Sequence, residues 1–107
     1  MKWPVIIIRR LNVTGMALFP FILVNTKAAA ADKVVINHEM IHLRQQAELL
    51  VIPFYVLYLL NYLINLALYQ NHHKAYLNIV FEREAYANEL NTTYLKSRRW
   101  YGWYKYF

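Results

Sequence analysis

The chain has 107 residues, which is room for one domain with one modest core and excludes a second. Hydrophobic residues make up 59% of it and charged residues only 17%, which excludes disorder, and the lack of cysteine excludes disulfides, thiolate metal sites and thiol nucleophiles. Any metal site must therefore use His and carboxylates. Twelve Lys and Arg against six Asp and Glu give a formal charge of +6, which favours acidic partners such as anionic lipid or nucleic acid.

The first apolar run, Val5-Ile6-Ile7-Ile8, is short and β-branched and predicts a buried or edge strand. A turn over Asn12 to Gly15 leads to a second run, Met16 to Val24, with Pro20 in its middle. Proline has no ladder donor, so this run predicts an edge strand or two pieces around a bulge, and the two runs together predict a β-hairpin or small sheet. Arg9-Arg10, the second run and Ala28 to Ala31 imitate a secretory signal. Lys27 and the apolar residues ahead of the arginines spoil that pattern, so a cytoplasmic or peripherally membrane-associated chain is expected.

Asp32 is a good N-cap for a helix from Lys33 to about Leu50. Pro53 interrupts it, and a very apolar helix follows from Phe54 to about Tyr69. Asn71-His72-His73 reads as the connection to a third helix over Lys74 to Arg98. Leu49 to Tyr69 carries no charge over 21 residues, long enough to span a bilayer. Tyr58, Asn61, Tyr62, Asn65 and Tyr69 nevertheless recur at steps of three and four, one polar stripe on an apolar helix. The expected architecture is an α+β, zincin-like mini-domain over residues 1–107, a hairpin or small sheet followed by three helices.

Residues 38 to 42 read His38-Glu39-Met40-Ile41-His42. Positions i and i+4 stack on one helical face, so two imidazoles can grip one Zn²⁺, and Glu39 points toward the place of an attacking water. Random placement of these residue types gives the pattern in about one chain in 150, so the motif carries weight. A catalytic zinc usually takes a third protein ligand. Asp32 is used as a cap and Glu48 lies too far along the same helix, which leaves the run Phe81 to Glu89 with three of the six acids. Glu82, Ala85, Tyr86 and Glu89 share one helical face; Glu84, Asn88 and Asn91 share the other. Ala85 would let the first face come close to the motif helix, which favours Glu82 over Glu84.

The pair INHEMIHLRQQ and FEREAYANEL resembles a minimal gluzincin, the zinc-peptidase group in which H-E-x-x-H is followed by a Glu on a later helix. Glu82 and Ala85 are similar to the E-x-x-A-D element of the CAAX prenyl protease and BlaR-type signalling peptidases. The resemblance implies that Glu82 is the third ligand beside His38 and His42, that Glu39 is the general base, and that the reaction is amide hydrolysis. It also implies that the Met16–Val24 edge could pair with an extended peptide or protein substrate. The sequence departs from the element at Tyr86, where those families carry Asp, leaving open which groups partner the zinc histidines. Tyr86 itself is a candidate donor to the oxyanion or a packing residue.

A bound Glu82 conflicts with a simple span, because the dozen residues after Tyr69 cannot recross a hydrocarbon core of roughly 30 Å. His72 and His73 read as exposed, and Arg44, Gln45 and Gln46 as the solvated face of the motif helix. The tail from Arg98 to Phe107 mixes cations with aromatics, suiting a membrane surface, single-stranded nucleic acid or packing onto the core. No nucleic-acid motif is present, so a nucleic-acid partner is not expected. The leading expectation is a zinc-dependent metallopeptidase; its rivals are a non-catalytic zinc-binding protein and a membrane-associated helical protein.

Overall fold

The computed structural model describes residues 3–107. Three strands come first, β1 (Val5–Ile7), β2 (Gly15–Leu18) and β3 (Phe21–Val24), in the order β1–β3–β2. β1 runs parallel to β3 and β2 antiparallel to it. The second apolar run therefore does form two pieces, joined by a turn rather than a bulge. Phe19 and Pro20 lie between the paired residues Leu18 and Phe21, where a missing N–H costs no ladder bond.

Helices α1 (Lys27–Ala31), α2 (Lys33–Glu48), α3 (Ile52–Tyr69), α4 (His72–Leu77), α5 (Val80–Asn88) and α6 (Tyr94–Ser97) follow, then a 3-10 turn over Gly102–Tyr106. The fold is α+β, as the sequence predicts. Asp32 caps α2, accepting from the Val34 and Val35 N–H groups at 2.9 and 3.4 Å. Leu43 of α2 joins Ala17, Ile22 and Val24 in the core against the sheet, and Ile41 meets Ala85 and Tyr94 on the other side. Gln46 donates to the Ala17 carbonyl and accepts from the Phe19 N–H, both at 2.9 Å, fastening α2 to the hairpin. Gln45 and Gln46 are thus fully buried, which corrects their reading as a solvated face. An amide side chain satisfies backbone groups that would otherwise be stranded in the core.

The single helix expected over 74–98 is three helices, and Asn71 to His73 are its N-cap and first turn rather than a loop. At the first break Ile79 is extended, and the Val80 N–H finds Asn61 Oδ1 at 2.8 Å. After α5, Asn37 Nδ2 reaches the carbonyls of Asn88, Glu89 and Asn91 at 3.2, 2.8 and 3.0 Å. Side chains from other helices here satisfy end groups that a continuous helix would pair internally. Residues with good helix propensity give no hint of that.

The polar stripe of α3 faces α4 and α5: Asn61 takes the Val80 N–H, Tyr62 bonds His72 Nδ1 at 2.7 Å, and Asn65 donates to the Ala75 carbonyl at 3.1 Å. The helix is long and apolar enough to cross a membrane by length and composition, and its outward side is largely exposed. It joins α2 through a tight corner. Leu50 and Val51 both have positive φ, 59° and 66°, and the Ile52 N–H bonds the Leu50 carbonyl at 2.8 Å, a γ-turn centred on a β-branched residue.

The tail packs back on the core through one buried cation. Arg98 grips Glu48 with two bonds, Nη1 to Oε2 at 2.6 Å and Nη2 to Oε1 at 3.0 Å. Its Nε bonds Glu84 Oε2, and Nη2 reaches Glu84 Oε1 at 3.1 Å. Tyr94 Oη, Gln45 Nε2 and the Tyr101 N–H supply the remaining donors to these carboxylates. A Cβ on Gly102 would stand 2.9 Å from Glu84 Oε2, so the close passage of the tail needs glycine there. Trp103 then packs on Phe81, while Trp100, Tyr104 and Phe107 remain exposed.

Arg98→Ala leaves two carboxylates buried without their cation and is expected to cost about 3–5 kcal/mol, read as a lower urea midpoint. Neutralising the whole group, as Arg98→Met with Glu48→Gln and Glu84→Gln, should recover most of that loss. A triple variant no more stable than Arg98→Ala would show that the charge balance is not what matters.

Candidate metal centre

Among the described residues, His38, His42 and Glu82 bring one ligand atom each within 4.8 Å of the other two, and all three are buried. Glu82 Oε1 lies 3.1 Å from His38 Nε2 and 3.0 Å from His42 Nε2, and the two nitrogens are 3.2 Å apart. Bonds of about 2.0–2.1 Å at tetrahedral angles put ligand atoms roughly 3.3 Å apart, so a slight widening of this triangle seats one ion. Glu84, the rival third ligand, faces away and belongs to the Arg98 group. His72 is engaged by Tyr62, and both His72 and His73 line the cleft outside the triangle.

The hydrogen-bond network assigns the tautomers. Both N–H bonds of the Gln45 amide have acceptors, the Phe81 carbonyl at 3.0 Å and Glu84 Oε1 at 2.9 Å. Gln45 Oε1 therefore faces His42 Nδ1, at 2.8 Å, and that nitrogen must donate. His38 Nδ1 donates likewise to Glu89 Oε1 at 2.8 Å. In neutral imidazoles this turns both Nε2 lone pairs toward each other and toward the Glu82 oxygen. Three lone pairs that converge in a buried pocket need a cation between them. In the metal-free chain a proton plays that part: burial pushes His42 down, but the Glu82 charge and hydrogen bond outweigh it and raise its pKa to about 9. Burial pushes Glu82 up, yet the His42 charge and the bonds from His38, His42 and Tyr58 hold it well below the ordinary carboxylate range.

Sequence reasoning missed three partners. Gln45 and Glu89 fix the imidazoles, the role left open by Tyr86 in place of Asp, and Tyr58 on α3 donates to Glu82 Oε2 at 2.5 Å. Gln45 lies three residues past His42, and Glu89 shares a helical face with Glu82, so only spacing hinted at them. Tyr86 sits at the mouth, its ring edge-on to His38 at 4.5 Å between centroids and its hydroxyl 3.0 Å from that of Tyr76. Burial raises the pKa of both phenols.

The triangle forms the floor of a cleft of about 880 Å³ between β2, α2, α3 and α4. Glu39 lines this cleft, and among the described residues its carboxylate has no hydrogen-bond partner. Burial raises its pKa against the opposing effect of His42 and His38. Gly15 makes room for it, since a Cβ there would stand 3.0 Å from Glu39 Oε2. The β2 edge beside it is partly taken: the Ala17 carbonyl is bonded to Gln46, which leaves the outward groups of Gly15 and the Ala17 N–H.

Compared with known proteins, the chain matches no family model, no curated protein and no solved structure. The gluzincin likeness therefore rests on these residues and their arrangement.

Gln45→Leu is expected to lower zinc affinity by about 10–100-fold by freeing the His42 tautomer, read by competition with a chelating dye. The pH dependence has a definite sign. His42 is raised from 6.5 to about 9, so the metal-free chain has the full benefit below pH 6.5 and loses it as pH rises through about 9. Melting in EDTA should follow that fall, and saturating zinc should flatten it by replacing the proton.

Proposed function

We propose that the chain is a zinc-dependent metallopeptidase of gluzincin type that acts on peptide or protein substrates. One observation carries the reading: two imidazole lone pairs and a carboxylate oxygen converge within 3.2 Å beside an unpartnered carboxylate in an open cleft. His38, His42 and Glu82 would hold the ion, and the N₂O donor set suits zinc. Zinc in such a site lowers the pKa of water and polarises a carbonyl.

The chain's own residues supply the rest. Glu39 takes a proton from the attacking water on its carboxylate and returns it to the departing amine nitrogen. Its raised pKa suits a group that must both accept and release a proton. Gln45 and Glu89 hold the imidazoles in their ligating tautomer, and Tyr58 holds the outer oxygen of Glu82. Tyr76 and Tyr86 share one hydrogen bond and so have a second phenolic hydrogen, free to donate to the substrate carbonyl oxygen as it gains charge. A purely structural site has no use for the free Glu39 carboxylate in its cleft, which argues against the scaffold reading. We place the protein in the cytoplasm or at the periphery of a membrane.

Glu39→Gln should cut peptide hydrolysis by at least about 10²–10⁴-fold while zinc stays near one per chain, measured with quenched peptide libraries and elemental analysis. Wild-type chain that takes up no zinc, or a Glu39→Gln variant that hydrolyses as fast, would sink the proposal.

A further inference from the structure

The outward side of α3 has no polar residue. Ile52, Val56, Leu59, Leu60, Leu63 and Ile64 are 48–72% exposed and form one face along a helix of 18 residues, about 27 Å. A continuous apolar surface of this kind marks an interface. The charge distribution selects its partner. Glu39, Glu82 and Glu89 cluster with the two site histidines, Glu48 and Glu84 are paired with Arg98, and Asp32 is used as a cap. Among the described residues the exposed cations have no carboxylate partner, four of the six acids are buried, Glu89 is half-buried against His38 and Asp32 is the exposed one, so the exterior is cationic. The tail packs on the inner side of α3 through Trp103 on Phe81 and Phe81 on the buried Phe54, and it presents exposed Tyr104 and Phe107 with Lys105 between them.

We propose that the outward face of α3 beds lengthwise into the surface of a bilayer containing anionic lipid. The helix lies in the plane rather than across it. Its other side is bonded to α4 and α5, which return the chain toward Glu82 at about 1.5 Å per residue, too short to recross the hydrocarbon. Apolar side chains from such a face enter the headgroup boundary, and a cationic exterior is drawn to anionic headgroups. This inference is independent of the peptidase reading, because it uses no property of the metal.

The test is flotation of the full chain with phosphatidylcholine vesicles, with and without phosphatidylglycerol. The expected result is binding to the anionic vesicles, weakened by salt, and at least about tenfold weaker for Leu60→Glu/Leu63→Glu. A far-ultraviolet circular dichroism spectrum and a melting temperature equal to wild type show that this variant is folded. The chain has no cysteine, so nitroxide labels on Val56→Cys, Leu60→Cys and Leu63→Cys report depth at single sites. Similar shallow depths support the in-plane arrangement. A depth gradient along the three sites, no binding to either vesicle, binding indifferent to the double variant, or a stable dimer that buries all three labels in lipid-free buffer would each overturn it.

Discussion

A carboxylate taken out of water must find a cation or several donors, or its burial costs several kcal/mol. This chain buries Glu39, Glu48, Glu82 and Glu84, and the structure is organised around meeting that demand. Arg98 meets it for Glu48 and Glu84 and in doing so anchors the tail. The two histidines meet it for Glu82, and Glu39 is left as the carboxylate without a partner. α2 takes part in both groups, with His38, Glu39 and His42 within little more than one turn and Gln45 and Glu48 one to two turns further on.

Gln45 connects the two groups. Its oxygen holds His42 and its nitrogen holds Glu84, which in turn holds Arg98. The orientation of the His42 imidazole is thereby coupled to the seating of a residue more than fifty positions further along the chain. A domain this small cannot give its site a separate supporting layer, so the side chains that close the core also orient the two histidines.

What was legible in the sequence was whatever depends on local spacing. His38 and His42 share a face because helices repeat every 3.6 residues, and Asp32 caps because its side chain reaches N–H groups two and three residues on. That Glu82 rather than Glu84 lies beside the histidines was favoured by the helical face it shares with Ala85 and by the family resemblance. What was hidden depends on contacts between distant segments: the amides of Asn37 and Asn61 that end helices, the buried Gln45 and Gln46, and the pairing of Arg98 with Glu48 fifty residues away. A glutamine on a helix is ordinarily at the surface, and no local pattern distinguishes the one that closes a core.

The γ-turn at Val51 has a mechanical consequence. A β-branched residue held at positive φ stores of order 1–3 kcal/mol, and here it sits at the joint between the helix that supplies both histidines and the helix that supplies Tyr58. Return of Val51 to negative φ would release that energy at the cost of the Ile52 N–H bond to the Leu50 carbonyl. The two walls of the cleft therefore meet at a loaded hinge. Rotation at that joint would move Tyr58 relative to Glu82, while His38 and His42 stay together on their own helix.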